Sequence, residues 1–453
     1  MNPILQASLP ALRRDEFASD FRWGCSTSSY QIEGATGEDG RGESIWDRFC
    51  AQPGRIRDCS SGAVACDHYH RWPQDLDLAQ SLGVNAYRFS IAWPRVLPQG
   101  RGAVNAAGLD FYERLVDGML TRGLQPWATL YHWDLPQVLQ EQGGWKSRET
   151  VAAFLEFTEA VTRRLGDRVK HWITHNEPWC SCFMGYWEGV HAPGETSLQS
   201  ALQACHHVLL SHGQALPIIR ANSAGAQVGI TLSLHPILPA SDSAADAAAV
   251  QRHDGSRNRW FLDPLYGRGY PADMLEMLGE LAPRTQAGDL AQIASPMDFL
   301  GVNYYFPEIV ADAPGLGPVQ TRVVERQGVE RTAFGWEVSP EGLRDLLSRL
   351  QRDYAPEQIF ITENGSTYED ILLPDGRVND AQRLSYLARH LAAMREAIAL
   401  GVPVRGYFAW SLLDNFEWAE GYARRFGLAY VDYATQARIL KASGHWYREF
   451  LQR

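Results

Sequence analysis

A chain of 453 residues, 45% hydrophobic and 21% charged, can bury a large core, and α/β barrels of this size fold as one domain. Its net charge of −11 and the lack of any basic run exclude a nucleic-acid surface, which needs clustered Lys and Arg. Seven cysteines with no Cys-x-x-Cys pair read as reduced thiols; residues 1–17 carry no leader pattern and no long apolar run could span a membrane, so a cytoplasmic protein is expected.

Eight apolar, β-branched or aromatic runs recur along the chain, each reading as a strand. The first four are Phe21–Gly24, Ala86–Trp93, Pro126–Trp133 and Val169–Thr174. Val228–Leu234, Phe299–Tyr305, Ile359–Thr362 and Val404–Trp410 complete the set. Helical patterns lie between them. Leu109, Tyr112, Leu115, Val116, Met119 and Leu120 fall at helical spacing before Gly123, and Leu384, Leu387, Leu391, Met394 and Ile398 repeat the pattern before Gly401. Strands alternating with helices imply parallel pairing through right-handed crossovers. The expected fold is therefore a single (β/α)₈ TIM barrel over residues 1–453, with extended βα loops walling its mouth. An open doubly wound sheet is the architectural rival, but no Gly-x-Gly-x-x-Gly turn follows the first strand.

In such a barrel the reactive residues gather at the carboxyl ends of the strands. Two segments there stand out: His171-Trp-Ile-Thr-His-Asn-Glu-Pro178 and Ile359-Phe-Ile-Thr-Glu-Asn-Gly365. Each ends an apolar run on one glutamate, Glu177 or Glu363. Carboxyls held at buried strand ends are partly desolvated and rigidly aimed, so two that converge on one cavity can act as acid and nucleophile on an acetal. Taken alone, each segment also reads as an ordinary turn, because a residue before proline leaves the helix and Asn-Gly favours turns. The other strand ends favour the chemical reading. Gln31 follows the first strand, Arg88 lies within the second, and His132 and Trp133 end the third. Asn303 and Tyr305, two apart and so on one face, end the sixth, and Trp410 ends the eighth. An unpaired Arg88 inside Tyr87-Arg-Phe-Ser-Ile91 would be costly to bury. Trp23, Trp46 and Trp145 are assigned to packing, and His68 and His70 to structural hydrogen bonds. Cys180 and Cys182 lack neighbouring ligands at metal spacing.

The chain resembles glycoside hydrolase family 1, the β-glucosidases, from end to end. The resemblance rests on motifs in order, among them Ser29-Tyr-Gln-Ile-Glu-Gly-Ala35, Ser44-Ile-Trp-Asp47, Asp67-His-Tyr-His70, Asn176-Glu-Pro178, Val190-His-Ala-Pro-Gly194, Asn303-Tyr-Tyr305, Ile361-Thr-Glu-Asn-Gly365 and Trp410-Ser-Leu-Leu-Asp-Asn-Phe-Glu-Trp418. It implies a retaining exo-β-glycosidase acting on terminal β-D-glucosyl residues, with galactosyl and fucosyl substrates as further candidates. Glu177 would be the acid/base and Glu363 the nucleophile, held by Arg88 and Tyr305. Gln31, His132, Asn176, Glu417 and Trp418 would bind hydroxyls beside Trp133 and Asn303, with Trp410 stacked on the sugar and Trp179 and Phe426 on the leaving-group side. No metal or organic cofactor is implied, and the expected partners are small β-glucosides or cello-oligosaccharides.

Glu417 would repel a 6-phosphate, and the relatives that cleave phosphosugars carry Ser and a nearby Lys in this region. Thioglucosidases lack the acid that Glu177 supplies. Cys25, His175, Trp187-Glu188 and Ser366 depart from the usual pattern without removing a reactive group; Trp187 and Glu188 are expected to reshape the leaving-group side. A sugar-binding barrel without chemistry is the alternative from another class. The presence of both acids argues against it.

Overall fold

The computed structural model describes residues 9–452; the first eight residues of the N-terminal leader reading lie outside them. Eight strands close into a parallel barrel in which each pairs with its chain neighbours and the last with the first. They are β1 (Arg22–Ser26), β2 (Ala86–Ser90), β3 (Gln125–Tyr131), β4 (His171–Asn176), β5 (Gln227–Ser233), β6 (Phe299–Asn303), β7 (Ile359–Asn364) and β8 (Val404–Trp410). All eight expected runs overlap a barrel strand, with shifted ends. The second run stops as a strand at Ser90, and Trp93 opens a short helix whose Pro94 cannot donate to a ladder. The third stops at Tyr131, since Trp133 turns out of the strand with φ +78°.

The two helical readings also correspond to helices. Ala106–Thr121 buries Leu109, Tyr112, Leu115, Val116 and Met119 against the barrel, while Leu120 turns to solvent, and Ala381–Ala399 buries Leu387, Leu391 and Met394. Gly123 and Gly401 follow them with φ +72° and +92°, a left-handed stop that costs glycine nothing.

Ala86, Trp127, Ile173, Phe299, Phe360 and Phe408 fill the lower barrel interior as one apolar plug. Trp127 is its centre, with ring centroids 4.6 Å from Phe360 and 5.1 Å from Phe408. Polar side chains above this plug have a dry floor beneath them. The long connections form the walls at that end: residues 27–85 precede β2, and residues 234–298 precede β6. Strands 237–239, 308–312 and 321–323 make a small second sheet. No helix among the described residues is long and apolar enough to cross a membrane. All seven cysteines are free. His68 is held by Asp75 at 2.8 Å, and His70 by Asp67 at 2.6 Å.

Candidate active site

Strand alternation alone would aim Glu363 out of the barrel. Phe360 on β7 belongs to the interior plug and Ile361 to the outer core, so position 363 should again face the helices. The register between β7 and β6 shifts between Ile361 and Glu363, and this irregularity turns the carboxyl inward. The same device acts on β4. Ile173 faces the plug, the register with β5 shifts before Asn176, and His175 packs outward on Phe154 at 4.6 Å. Asn176 thereby points in, and Glu177 follows it with φ +48°. Trp133 and Trp418 hold positive φ beside the same cavity. Each such residue stores about 1–3 kcal/mol, which the surrounding packing must offset.

Glu177 and Glu363 open onto one cavity of about 400 Å³ at the carboxyl end of the barrel. Their immediate partners differ. Glu363 accepts hydrogen bonds from Arg88 Nη1 and the Tyr305 hydroxyl, both at 2.7 Å. Glu177 accepts one from the Asn303 amide at 3.0 Å. Arg88 is fully buried, and its other nitrogens donate to Asn176 Oδ1 at 2.6 Å, to Thr129 Oγ1 at 3.2 Å and, from Nη1 again, to the Thr362 carbonyl at 3.0 Å. A guanidinium with every nitrogen engaged cannot swing away from the carboxylate. The Asn303 amide also donates to Asn176 Oδ1 at 3.1 Å, so one network fixes both acids.

Burial raises both carboxyls, against the nearby positive charge of Arg88. They titrate as a pair, and the single anion settles on Glu363, where a guanidinium and a phenol stabilise it. Its charge then holds the remaining proton on Glu177. One ionised and one protonated carboxyl on a shared cavity can attack a carbon and protonate the group that leaves it.

The rest of the cavity is polar on one side and aromatic on the other. Burial drives the His132 imidazole well below its ordinary pKa, so it is neutral and its Nε2 accepts from the Asn176 amide at 3.1 Å. His132 lies nearly parallel to Trp410 and Trp418, with centroids 6.0 and 5.9 Å away. The Gln31 amide donates to the Phe416 carbonyl at 2.9 Å and reaches Glu417 at 3.5 Å. Glu417 lines the cavity, and burial raises its carboxyl, reinforced by Glu363. Trp133 lines it too, its indole donating to the Asn176 carbonyl at 2.9 Å. Phe426 packs on Tyr305 at 5.9 Å, and Trp179 carries the Arg257 guanidinium 3.5 Å above its ring.

Every residue selected from the sequence thus belongs to the cavity wall or to the layer bonded to it. Gln31, Arg88, Asn176 and Asn303 form that supporting layer, while the others reach the cavity surface. Trp187 and Glu188 line a neighbouring cavity that shares Trp179 and Arg257 with this one. At four-residue spacing Trp179 stacks on Phe183, with centroids 5.6 Å apart, and Phe183 meets Trp187 edge to face at 5.9 Å. Eight residues at 1.5 Å rise carry Trp187 about 12 Å along the helical path from Trp179. Sequence reasoning missed Arg257, His191, His235, Phe334 and Trp336, all of which line the cavity from loops or a π-helical turn. Only His191 had a visible signal, the motif Val190-His-Ala-Pro-Gly194. Among the described residues no three His, Cys, Asp or Glu side chains are grouped to hold a metal ion.

Comparison with known proteins agrees with this geometry. The family model "Glycosyl hydrolase family 1" matches residues 13–453. The chain is 48% identical to the β-glucosidase of an Agrobacterium species, covering 95% of this chain and 94% of that one. It is 43% identical to a bifunctional β-D-glucosidase/β-D-fucosidase of Bifidobacterium breve, over 96% and 98% of the two chains. The solved structure of a Thermotoga maritima β-glucosidase in complex with glucoimidazole superposes with a TM-score of 0.94 at 45% identity, covering 96% and 98%. By profile, identity and backbone alike, the chain belongs to glycosyl hydrolase family 1.

Proposed function

We propose that this protein is a retaining exo-β-glucosidase in which Glu363 is the nucleophile and Glu177 the acid/base. The observation that carries the assignment is the asymmetry of the pair: both carboxyls open on one cavity, and of the two acids it is Glu363 that accepts hydrogen bonds from Arg88 and Tyr305. Glu363 attacks the anomeric carbon while Glu177 gives its proton to the departing oxygen, leaving a covalent glycosyl ester. Esterification removes the charge of Glu363. Glu177 then loses the repulsion that kept it protonated and serves as base for the incoming water. A carboxyl separation of about 5–5.5 Å suits this double displacement.

The Asn176 amide donates to the sugar 2-hydroxyl, a contact that tightens as the oxocarbenium character develops. Gln31, His132 and Glu417 hold the other hydroxyls, and Trp410 stacks beneath the ring. Because Glu417 closes the glycone end with a buried carboxyl, a neutral terminal sugar fits, and a 6-phosphate would meet an acid where it needs a cation. The substrates are small β-glucosides and cello-oligosaccharides, and the likeness to the Bifidobacterium enzyme supports fucosides as well. The chain acts as one catalytic unit, and its free thiols accord with a cytoplasmic site of action.

Glu363→Gly supplies the test. Turnover should vanish, and azide should restore a reaction that yields the α-glycosyl azide. A β-azide product would contradict the nucleophile assignment.

A further inference from the structure

Residues 414–427 carry Glu417, Trp418 and Phe426 to the cavity wall. Among the described residues, the Gln31 amide at 3.5 Å is the sole hydrogen-bond partner of the Glu417 carboxyl, so the place of that carboxyl is set by the loop that bears it. One side chain closes the neck of this loop. The fully buried Asp414 carboxylate accepts from Arg425 Nη1 at 2.7 Å on one oxygen and from the Gly427 amide at 2.9 Å on the other. The neck is tight, since a Cβ on Gly427 would stand 2.1 Å from the Asp414 nitrogen. Lys441, just before the helix Ala442–Gln452 and also fully buried, donates to Asp414 Oδ1 at 2.5 Å and to Asp370 Oδ2 at 2.6 Å.

Asp370 lies in the segment that follows the nucleophile strand. Arg383 Nη1 and Nη2 reach its two oxygens at 3.0 and 2.8 Å, and Arg383 Nε donates at 3.0 Å to the carbonyl of Ser366, three residues after Glu363. Arg383 Nη2 also donates to the Arg425 carbonyl at 2.8 Å, which returns the circuit to the loop neck. Asp380 pairs with Arg383 and accepts from the Ser443 amide at 2.8 Å. Three cations, Arg383, Arg425 and Lys441, thus face the carboxylates of Asp370, Asp380 and Asp414. Desolvation offsets most of the attraction within a buried ion cluster, so stability alone is a weak account of it. We propose that Lys441 is a positioning residue for the glycone end of the cavity: acting through Asp414, it holds Glu417 in register with the nucleophile strand, to which Asp370, Arg383 and Ser366 tie it. Lys441 itself does not line the cavity. The inference rests on the β-glucosidase reading above and adds to it a residue that touches no substrate.

The test counts working sites before rates are compared. The burst of dinitrophenolate from 2,4-dinitrophenyl 2-deoxy-2-fluoro-β-D-glucoside titrates folded active sites, so any unfolded fraction drops out of kcat/KM. Per titrated site, Lys441→Met should lower kcat/KM on p-nitrophenyl β-D-glucoside about 10- to 100-fold, the size expected when a binding group is displaced by about 1 Å. The corresponding xyloside, which lacks the 6-hydroxymethyl group, should lose several-fold less. In a Glu417→Gln background the same substitution should cost less than about threefold, because the group that Lys441 positions has already lost its charge. Lys441→Met combined with Asp370→Asn removes one charge of each sign, stands in where the single variant does not fold, and should show the same pattern. Losses of one size on both sugars, no loss per site, or a loss that persists in full beside Glu417→Gln would make the cluster merely structural and overturn the positioning role. So would the absence of titratable sites in both variants. A parent enzyme that fails to cleave p-nitrophenyl β-D-glucoside would overturn the β-glucosidase reading, and this inference with it.

Discussion

Replacing Tyr305 by Phe removes one hydrogen bond from the nucleophile and little else. The hydroxyl donates to Glu363 Oε2 at 2.7 Å, while the ring packs on Trp336 at 5.3 Å and on Phe426 at 5.9 Å, contacts that phenylalanine keeps. A hydrogen bond to a charged group is worth about 1.5–3 kcal/mol. At about 1.36 kcal/mol per pKa unit, its loss raises the Glu363 pKa by about 1–2 units. Only the ionised form attacks, so the acidic limb of the kcat/KM profile moves to higher pH by the same amount. Below that limb the variant loses about 10- to 100-fold; above it the loss is smaller, because the charge that Tyr305 supports is already fading in the transition state. The assay is kcat/KM for p-nitrophenyl β-D-glucoside across pH, with circular dichroism as the check on folding. An acidic limb that stays in place, or moves to lower pH, would refute the claim that Tyr305 holds the nucleophile as an anion.

Removing the acid separates leaving groups. Glu177→Ala should slow alkyl glucosides and cellobiose by orders of magnitude more than activated aryl glucosides, whose leaving oxygens need no proton; equal losses in steady-state kinetics would show that Glu177 is not the acid. Glu417→Gln keeps shape but removes the carboxylate offered to the sugar 4- and 6-hydroxyls. It should lower kcat/KM for the glucoside about 10- to 100-fold, and less for the corresponding xyloside, which lacks the 6-hydroxymethyl group. Losses of one size on both would mean that Glu417 does not hold the 6-hydroxyl.

The barrel was legible in the sequence because its plug is built from residues of the strands themselves. Trp127, Ile173, Phe299, Phe360 and Phe408 sit inside runs that could be little else than buried strands. The acids were legible for the opposite reason, as polar groups closing apolar runs. What alternation could not reveal was how they turn inward, since strict period two places Asn176 and Glu363 on the outer face. The register shifts in β4 and β7 come from three-dimensional pairing with β5 and β6, which no local pattern encodes. Gly365 belongs to the same device: a Cβ there would stand 1.9 Å from the Trp410 carbonyl oxygen, so only glycine lets β7 and β8 part at this point. Loop residues were the least visible. Arg257 follows a helix through the π-helical turn Gly255–Arg259, where the extra residue per turn breaks the 3.6 period that assigns a face. Trp187, ten residues after Glu177, is carried through the π-helical turn Cys180–Met184 to the wall of the neighbouring cavity.

The central claim is that two carboxyls of one cavity act in turn through a covalent ester, and the anomer of the first product tests it most directly. Proton NMR during the first turnovers on p-nitrophenyl β-D-glucoside should show β-glucose forming first, with the α anomer growing in only by mutarotation. α-Glucose as the initial product would contradict the double displacement and the roles assigned to Glu177 and Glu363.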